Sequence, residues 1–182
     1  MNIEREETVK KQIMDVARRK VNTILNRLDI DATILIHPSL IEEGEADVEV
    51  KFYDPIDQEA LRKEITDSSM GNITFSQDGS KATIGVFYDY DQICSESWAP
   101  IFRSRISSEI LKKFEPYRVT KLTVQETSPQ HWDIEVSTAK ELDEDFRELT
   151  AKKFFKEHLI VTQGFRVGDD LKSFLASGFE ID

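Results

Sequence analysis

Between Glu7 and Leu28 the apolar residues Val9, Ile13, Val16, Ala17, Val21, Ile24, Leu25 and Leu28 recur every three or four positions, with no Gly or Pro among them. That period lays them along one stripe of an α-helix of about six turns. So continuous a stripe must be buried, against a sheet of its own chain or against another copy.

Beyond Leu28 the period falls to two. Strand-like runs at Ala32–His37 and Asp47–Tyr53 flank Pro38 and the acidic loop Glu42-Glu43-Gly44-Glu45. In the second run Val48, Val50 and Phe52 share one face, and Asp47, Glu49 and Lys51 the other, so one side of this hairpin faces water. A short helix over Asp57–Ile65 follows, with Asp57 placed to cap it. A second hairpin runs from Ile73–Ser76 through Asp78-Gly79, a dipeptide suited to tight turns, to Ala82–Tyr88. Its helix carries Trp98, Phe102, Ile106, Ile110 and Phe114 at four-residue spacing; a cap at Ser97 puts Pro100 in the first turn, where its missing N–H does no harm. A third hairpin, Thr120–Thr127 with His131–Val136, leads to a capping box of Thr138 and Glu141 for a helix burying Leu142, Phe146, Leu149, Phe154 and Phe155. A last short helix is expected over Asp169–Ser177, between Gly168 and Gly178.

This order predicts an α+β fold: ββα units at 32–65, 73–114 and 120–159, and a mainly antiparallel sheet with helices on one face. Residues 1–28 form the amphipathic helix and 29–182 a single α+β domain. An internal echo supports repeated units, since Lys51-Phe52-Tyr53-Asp54-Pro55-Ile56-Asp57-Gln58 is answered by Val86-Phe87-Tyr88-Asp89-Tyr90-Asp91-Gln92.

Charge adds an asymmetry. The formal net charge is −11, yet residues 1–28 hold seven basic residues against four acidic, leaving 17 basic against 31 acidic in the other 154. A surface this negative disfavours direct nucleic-acid binding, which depends on Lys and Arg neutralising phosphates. It favours a protein partner with a basic surface, or self-association. The 11 Phe, 4 Tyr and 2 Trp supply a core and argue against disorder. A lone Cys94 forms no internal disulfide, and neither a signal peptide nor an apolar run of membrane-spanning length is present. The expectation is a soluble, cytoplasmic protein with no membrane association.

Among candidate chemistries, Asp47, Glu49 and Lys51 offer the carboxylate and lysine of a Mg²⁺-dependent nuclease-like phosphodiesterase, in which the carboxylates hold the ion and the lysine orients water. The same alternation is what a solvated strand of an acidic protein produces. Asp54, Asp57, Asp89 and Asp91, at the two echoed strand ends, would gather carboxylate oxygens for a hard cation if the hairpins brought them together; local capping and turn roles compete. His37, His131 and His158 lack zinc-ligand spacing, Cys94 has no neighbouring cation, and no Gly-rich phosphate loop exists. No cofactor is expected. Tyr53, Tyr88, Tyr90, Trp98 and Tyr117 lie close to acidic residues, a combination suited to Arg or Lys anchors of a partner. The C-terminal Gly178-Phe179-Glu180-Ile181-Asp182 is either a docking peptide or a packed tail. These features favour a non-enzymatic acidic module for protein interaction or assembly. Alternatives are a nucleic-acid mimic occupying a basic cleft, motivated by 11 acidic and three basic residues between Asp29 and Glu64, and the phosphodiesterase.

Overall fold

The computed structural model describes residues 3–42, 44–143 and 148–181. Among the described residues the fold is α+β, with five α-helices and two antiparallel four-stranded sheets. Backbone contacts divide it into two compact units, Glu6–Ile93 and Cys94–Asp182, the latter including Met1–Arg5.

The first unit opens with α1 (Ile3–Arg27), whose residues Val9, Ile13, Ala17, Val21, Ile24 and Leu25 are buried within the chain. Strands β1 (Ala32–Glu42) and β2 (Glu45–Phe52), helix α2 (Gln58–Asp67), and strands β3 (Ile73–Phe75) and β4 (Lys81–Phe87) follow. The sheet order is β1-β2-β4-β3. Cross-strand register sets Ile34, Val50, Ala82 and Phe75 in one inner row and Ile36, Val48, Ile84 and Ile73 in the next. Side chains of one strand face alternate sides, so these rows face the core while Asp47, Glu49 and Lys51 point outward. Asp57 caps α2 as expected: one carboxylate oxygen accepts from the Glu59 and Ala60 amides at 3.0 Å each. In the β3–β4 turn Gly79 adopts φ +70°, a conformation costly for any residue with a Cβ. There Asp78 accepts from the Ser76 hydroxyl at 2.7 Å, the Ser80 amide at 3.0 Å and the Ser80 hydroxyl at 2.9 Å.

The chain crosses into the second unit within α3 (Tyr90–Ser97) and continues through α4 (Ala99–Lys113), β5 (Val119–Ser128), β6 (His131–Thr138), α5 (Glu148–Glu157), β7 (Ile160–Val167) and β8 (Ser173–Glu180). Its sheet order, β5-β6-β8-β7, is that of the first unit. The inner rows are Leu122, Val136, Phe174 and Val167, then Val124, Ile134, Ala176 and Phe165. Aromatic rings dominate this core: Phe102 lies 5.0 Å from Trp132, and Phe114 5.1 Å from Phe174, centroid to centroid.

Several expected elements differ. The ββα order is present along the chain, but hairpins join in pairs, so the compact arrangement is ββαββ and there are two sheets. Ser97 is the last residue of α3; Trp98 takes the cap position of α4 without a side-chain bond, while Pro100 does lie in the first turn. Thr138 ends β6, and its hydroxyl donates to the Lys140 carbonyl at 2.7 Å, so it starts no helix and α5 begins at Glu148. Residues 169–177 form a turn and then β8, where Phe174, Ala176 and Glu180 are buried and Leu175 is exposed, a period of two. β7 has no counterpart among the expected elements. Phe146 lies outside the described residues, as do Glu43 and Asp182.

Candidate functional site

The outer face of β1-β2-β4-β3 holds the first candidate constellation. Asp47, Glu49 and Lys51 stand on the same face of β2, opposite Gly85, Thr83 and Lys81 of β4. Lys51 therefore directly opposes a second lysine, and Glu49 pairs with Lys81 at 3.7 Å. A hollow of about 260 Å³ lies over this pair, lined by Glu49, Thr74, Phe75, Ser76, Lys81, Ala82 and Thr83. It excludes Asp47 and Lys51. Glu49 is thus engaged by a cation of the next strand, the ordinary way a half-exposed sheet face balances charge. The second unit presents the same pattern: Asp133 and Glu135 stand on the outer face of β6, and Glu135 accepts from Lys121 at 3.0 Å.

Asp54, Asp57, Asp89 and Asp91 are not gathered. Their hairpins do lie side by side, but β2 and β4 are antiparallel, with Glu45 opposite Phe87. Asp54 and Asp57 follow one end of β2, whereas Asp89 follows the far end of β4, a strand length of roughly 20 Å away. Asp57 caps α2, and Asp89 accepts from the Gln92 amide at 3.0 Å. Among the described residues no group of three or more His, Cys, Asp or Glu is placed to hold a metal ion.

The remaining candidates are dispersed. His37 and His131 are exposed, His131 within 3.1 Å of the Pro129 carbonyl, and His158 packs on Phe154 at 4.7 Å. Cys94 is buried, 4.0 Å from the Arg5 guanidinium. Of the aromatics, Tyr53 is 67% exposed and Tyr90 38%, joined by Phe87 at 49%, whereas Trp98 is buried. The C-terminal segment is strand through Glu180, and the Ile181 amide donates to the Leu159 carbonyl at 2.8 Å.

The second unit contains a buried polar cluster that residue patterns did not disclose. Arg5 and Glu180 are 5% and 3% exposed. The Trp98 indole N–H donates to Glu180 at 2.6 Å, and the Glu180 amide to the Gln130 carbonyl at 2.8 Å. The Gln130 side-chain oxygen, oriented to satisfy both groups, accepts from the Arg5 guanidinium. Glu126 accepts from the Gln130 amide at 3.0 Å and the Ser95 hydroxyl at 2.9 Å. Buried charges persist only when bonded in this way. The closure of these bonds on one another makes the cluster a structural clasp. The nearest sequence signal was the unusual Glu180 in an otherwise apolar alternation.

Both echoed segments reach solvent. Tyr53 with Asp54, Asp57 and Glu59 is exposed at one end of the sheet, and Phe87 with Asp89, Tyr90 and Asp91 at the other. No helix among the described residues is long and apolar enough to cross a membrane. In comparisons with known proteins, no family model, no curated protein and no solved structure matches this chain.

Proposed function

We propose that this chain is a non-enzymatic protein-interaction or assembly module, engaging a surface of complementary charge through its aromatic and acidic segments. The supporting observation is the exposure of Tyr53, Phe87 and Tyr90 beside Asp54, Asp57, Asp89 and Asp91. An aromatic face attracts a guanidinium or ammonium group while an adjacent carboxylate bonds to it, so an Arg or Lys anchor meets both at once. Glu49 pairs with Lys81, Asp57 caps α2 and Asp89 accepts from the Gln92 amide, local duties that favour this reading over hydrolysis. Mimicry of nucleic acid is less supported, because Lys51 and Lys81 interrupt the acidic row of the outer face.

The test is affinity capture of the full chain from nuclease-treated lysate at low and high salt, read by mass spectrometry. A stoichiometric partner is expected, retained by Glu49→Gln and released when Phe87 and Tyr90 are both changed to Ala. A partner retained by the double variant would sink the aromatic and acidic segment as the contact. Metal-dependent phosphodiester cleavage lost with Glu49→Gln would replace the reading with the enzymatic one.

A further inference from the structure

The clasp in the second unit has one member supplied by a helix end. Arg5 lies in the first turn of α1, and backbone contacts place it with Cys94–Asp182, whereas from Glu6 onward the helix belongs to the other unit. Its neighbours in that turn, Ile3 and Glu4, are exposed, while Arg5 is buried. Glu4 pairs with Arg105 at 2.6 Å, but both side chains are more than a third exposed, and pairs so solvated hold little. The guanidinium is therefore the main hold on this turn, and end turns are the first part of a helix to fray.

The seat that receives Arg5 suits a guanidinium. Gln130 stands in the β5–β6 turn at φ +64°, a left-handed conformation that favours Gly or Asn. Strain of that kind persists where the surroundings fix it. Here the Gln130 amide donates to Glu126 and its carbonyl accepts from the Glu180 amide, and its side-chain oxygen faces both terminal nitrogens of Arg5. Cys94 Sγ lies 4.0 Å from one of them. Glu126 and the buried Glu180, each bonded to Gln130, make the surroundings acidic. A planar fork of donors meets a shared acceptor of this kind through two nitrogens, which a point-like ammonium does not. We propose that this cluster is an arginine-recognition site, filled in cis by Arg5 and open to an arginine side chain of another peptide once the first turn of α1 withdraws. Withdrawal leaves the Gln130 oxygen without its donors in an acidic surrounding, a state that an incoming guanidinium relieves. The site lies in the other unit from Tyr53 and the run Phe87–Ile93, so either reading can fail without the other.

Chemical complementation of the full chain tests it. Arg5→Ala should melt several degrees below wild type and shift tryptophan emission. Millimolar N-ethylguanidinium should return more than half of the lost degrees with a saturable dependence, as a ligand that binds only the folded state does. Wild type, its seat filled, should not respond, and N-ethylammonium at equal ionic strength should restore neither protein. An Arg5→Ala chain indifferent to N-ethylguanidinium overturns the proposal, as does equal restoration by N-ethylammonium or an equal rise in wild type. Should Arg5→Ala fail to fold, Gln130→Gly gives a second readout, because Gly suits the φ of that turn and the chain stays folded. Hydrogen exchange at Glu7, Thr8 and Val9, whose amides bond to the carbonyls of the first turn, should then quicken by about tenfold or more. Unchanged exchange there would show that the Gln130 oxygen does not hold Arg5, and the proposal falls.

Discussion

The two units share a strand order and fill it differently. In the Glu6–Ile93 unit the inner row through Val50 places Ala82 on the strand next to β2, with Phe75 at the edge; in the other unit the matching row places Phe174 next to β6, with Val167 at the edge. The large ring has changed strands within the row. In the neighbouring rows Ile84 and Ile73 correspond to Ala176 and Phe165. Packing at crystal-like density constrains the volume of a row more tightly than the identity of any one member, provided small and large residues are exchanged together. Outer faces are more alike: Asp47-Val48-Glu49-Val50 on β2 matches Asp133-Ile134-Glu135-Val136 on β6, and each glutamate has a lysine partner on an adjacent strand. A carboxylate position that recurs with a local counter-charge, while Lys51 has Ser137 as its counterpart, reads as a property of the sheet rather than of an active site.

The comparison breaks first at its most heavily packed position. Phe174→Ala should destabilise by about 3–5 kcal/mol, the range for truncating a buried aromatic ring, since Phe114, Phe155 and Phe165 all contact it. Both tryptophans, Trp98 and Trp132, belong to that unit, so the loss should appear in urea unfolding followed by tryptophan fluorescence. A change under 1 kcal/mol would mean the row refills itself.

Next in size is the clasp. Glu180→Ala removes the acceptor of the buried Trp98 indole and should destabilise by about 1–3 kcal/mol, the range for stranding a buried donor, with a shift in tryptophan emission. Retention of both wild-type stability and emission would show that solvent reaches the cluster. The converse substitution in the other unit, Ala82→Phe, tests whether that row accepts a ring at the inner strand: overpacking should cost about 1–3 kcal/mol. Thermal unfolding followed by circular dichroism reads it. Neutral behaviour would show the row has spare volume, and pairing it with Phe75→Val should recover part of the loss.

Elements governed by local rules were legible in the chain. The helical stripe of α1, the Asp57 cap and the Asp78-Gly79 turn each rest on contacts within a few residues, and each is present. Elements decided by distant pairing were not. Leu171, Phe174 and Leu175 have helical spacing, but Phe174 is matched to Val136 and Val167 on strands 38 and seven residues away, and that pairing overrides local preference. Gly178, which follows the helical spacing like a helix stop, sits within β8, where a Cβ would collide with the Val161 carbonyl. Thr138 and Glu141 have capping spacing, yet the Thr138 amide donates to the Lys172 carbonyl at 2.8 Å, a long-range bond absent from any local pattern. The candidate carboxylates were correctly set on one face of a strand, but the antiparallel pairing that separates the two Asp pairs requires knowing which strands are neighbours. Arg5 and Glu180 meet a common partner, Gln130, from opposite ends of the chain, and no spacing rule connects them.

The finest contrast lies in the turns joining the last two strands of each unit. Asp170 accepts one bond there, from the Lys172 amide at 2.9 Å. Asp78 accepts three, and the Ser76 hydroxyl first, then the Ser80 amide and hydroxyl, lower its pKa from 3.8 to about 2. Each of these donors favours the charged carboxylate. Because the folded-state value lies below the unfolded one, the stabilisation is present above pH 3.8 and is lost as the pH falls toward 2. The group is fully exposed, so the effect on global stability should be small and the direct readout is the carboxyl carbon shift of Asp78 in an NMR titration. Wild type should titrate near 2, with Ser76→Ala moving the midpoint upward by more than either bond to Ser80 does when broken alone. Asp78→Asn should remove that part of the acid sensitivity of the β3–β4 hairpin while leaving the β7–β8 turn unaltered. A midpoint at 3.8 in the wild type would mean that the three bonds exchange with water and that the Asp78 carboxylate contributes nothing to the turn beyond its backbone hydrogen bonds.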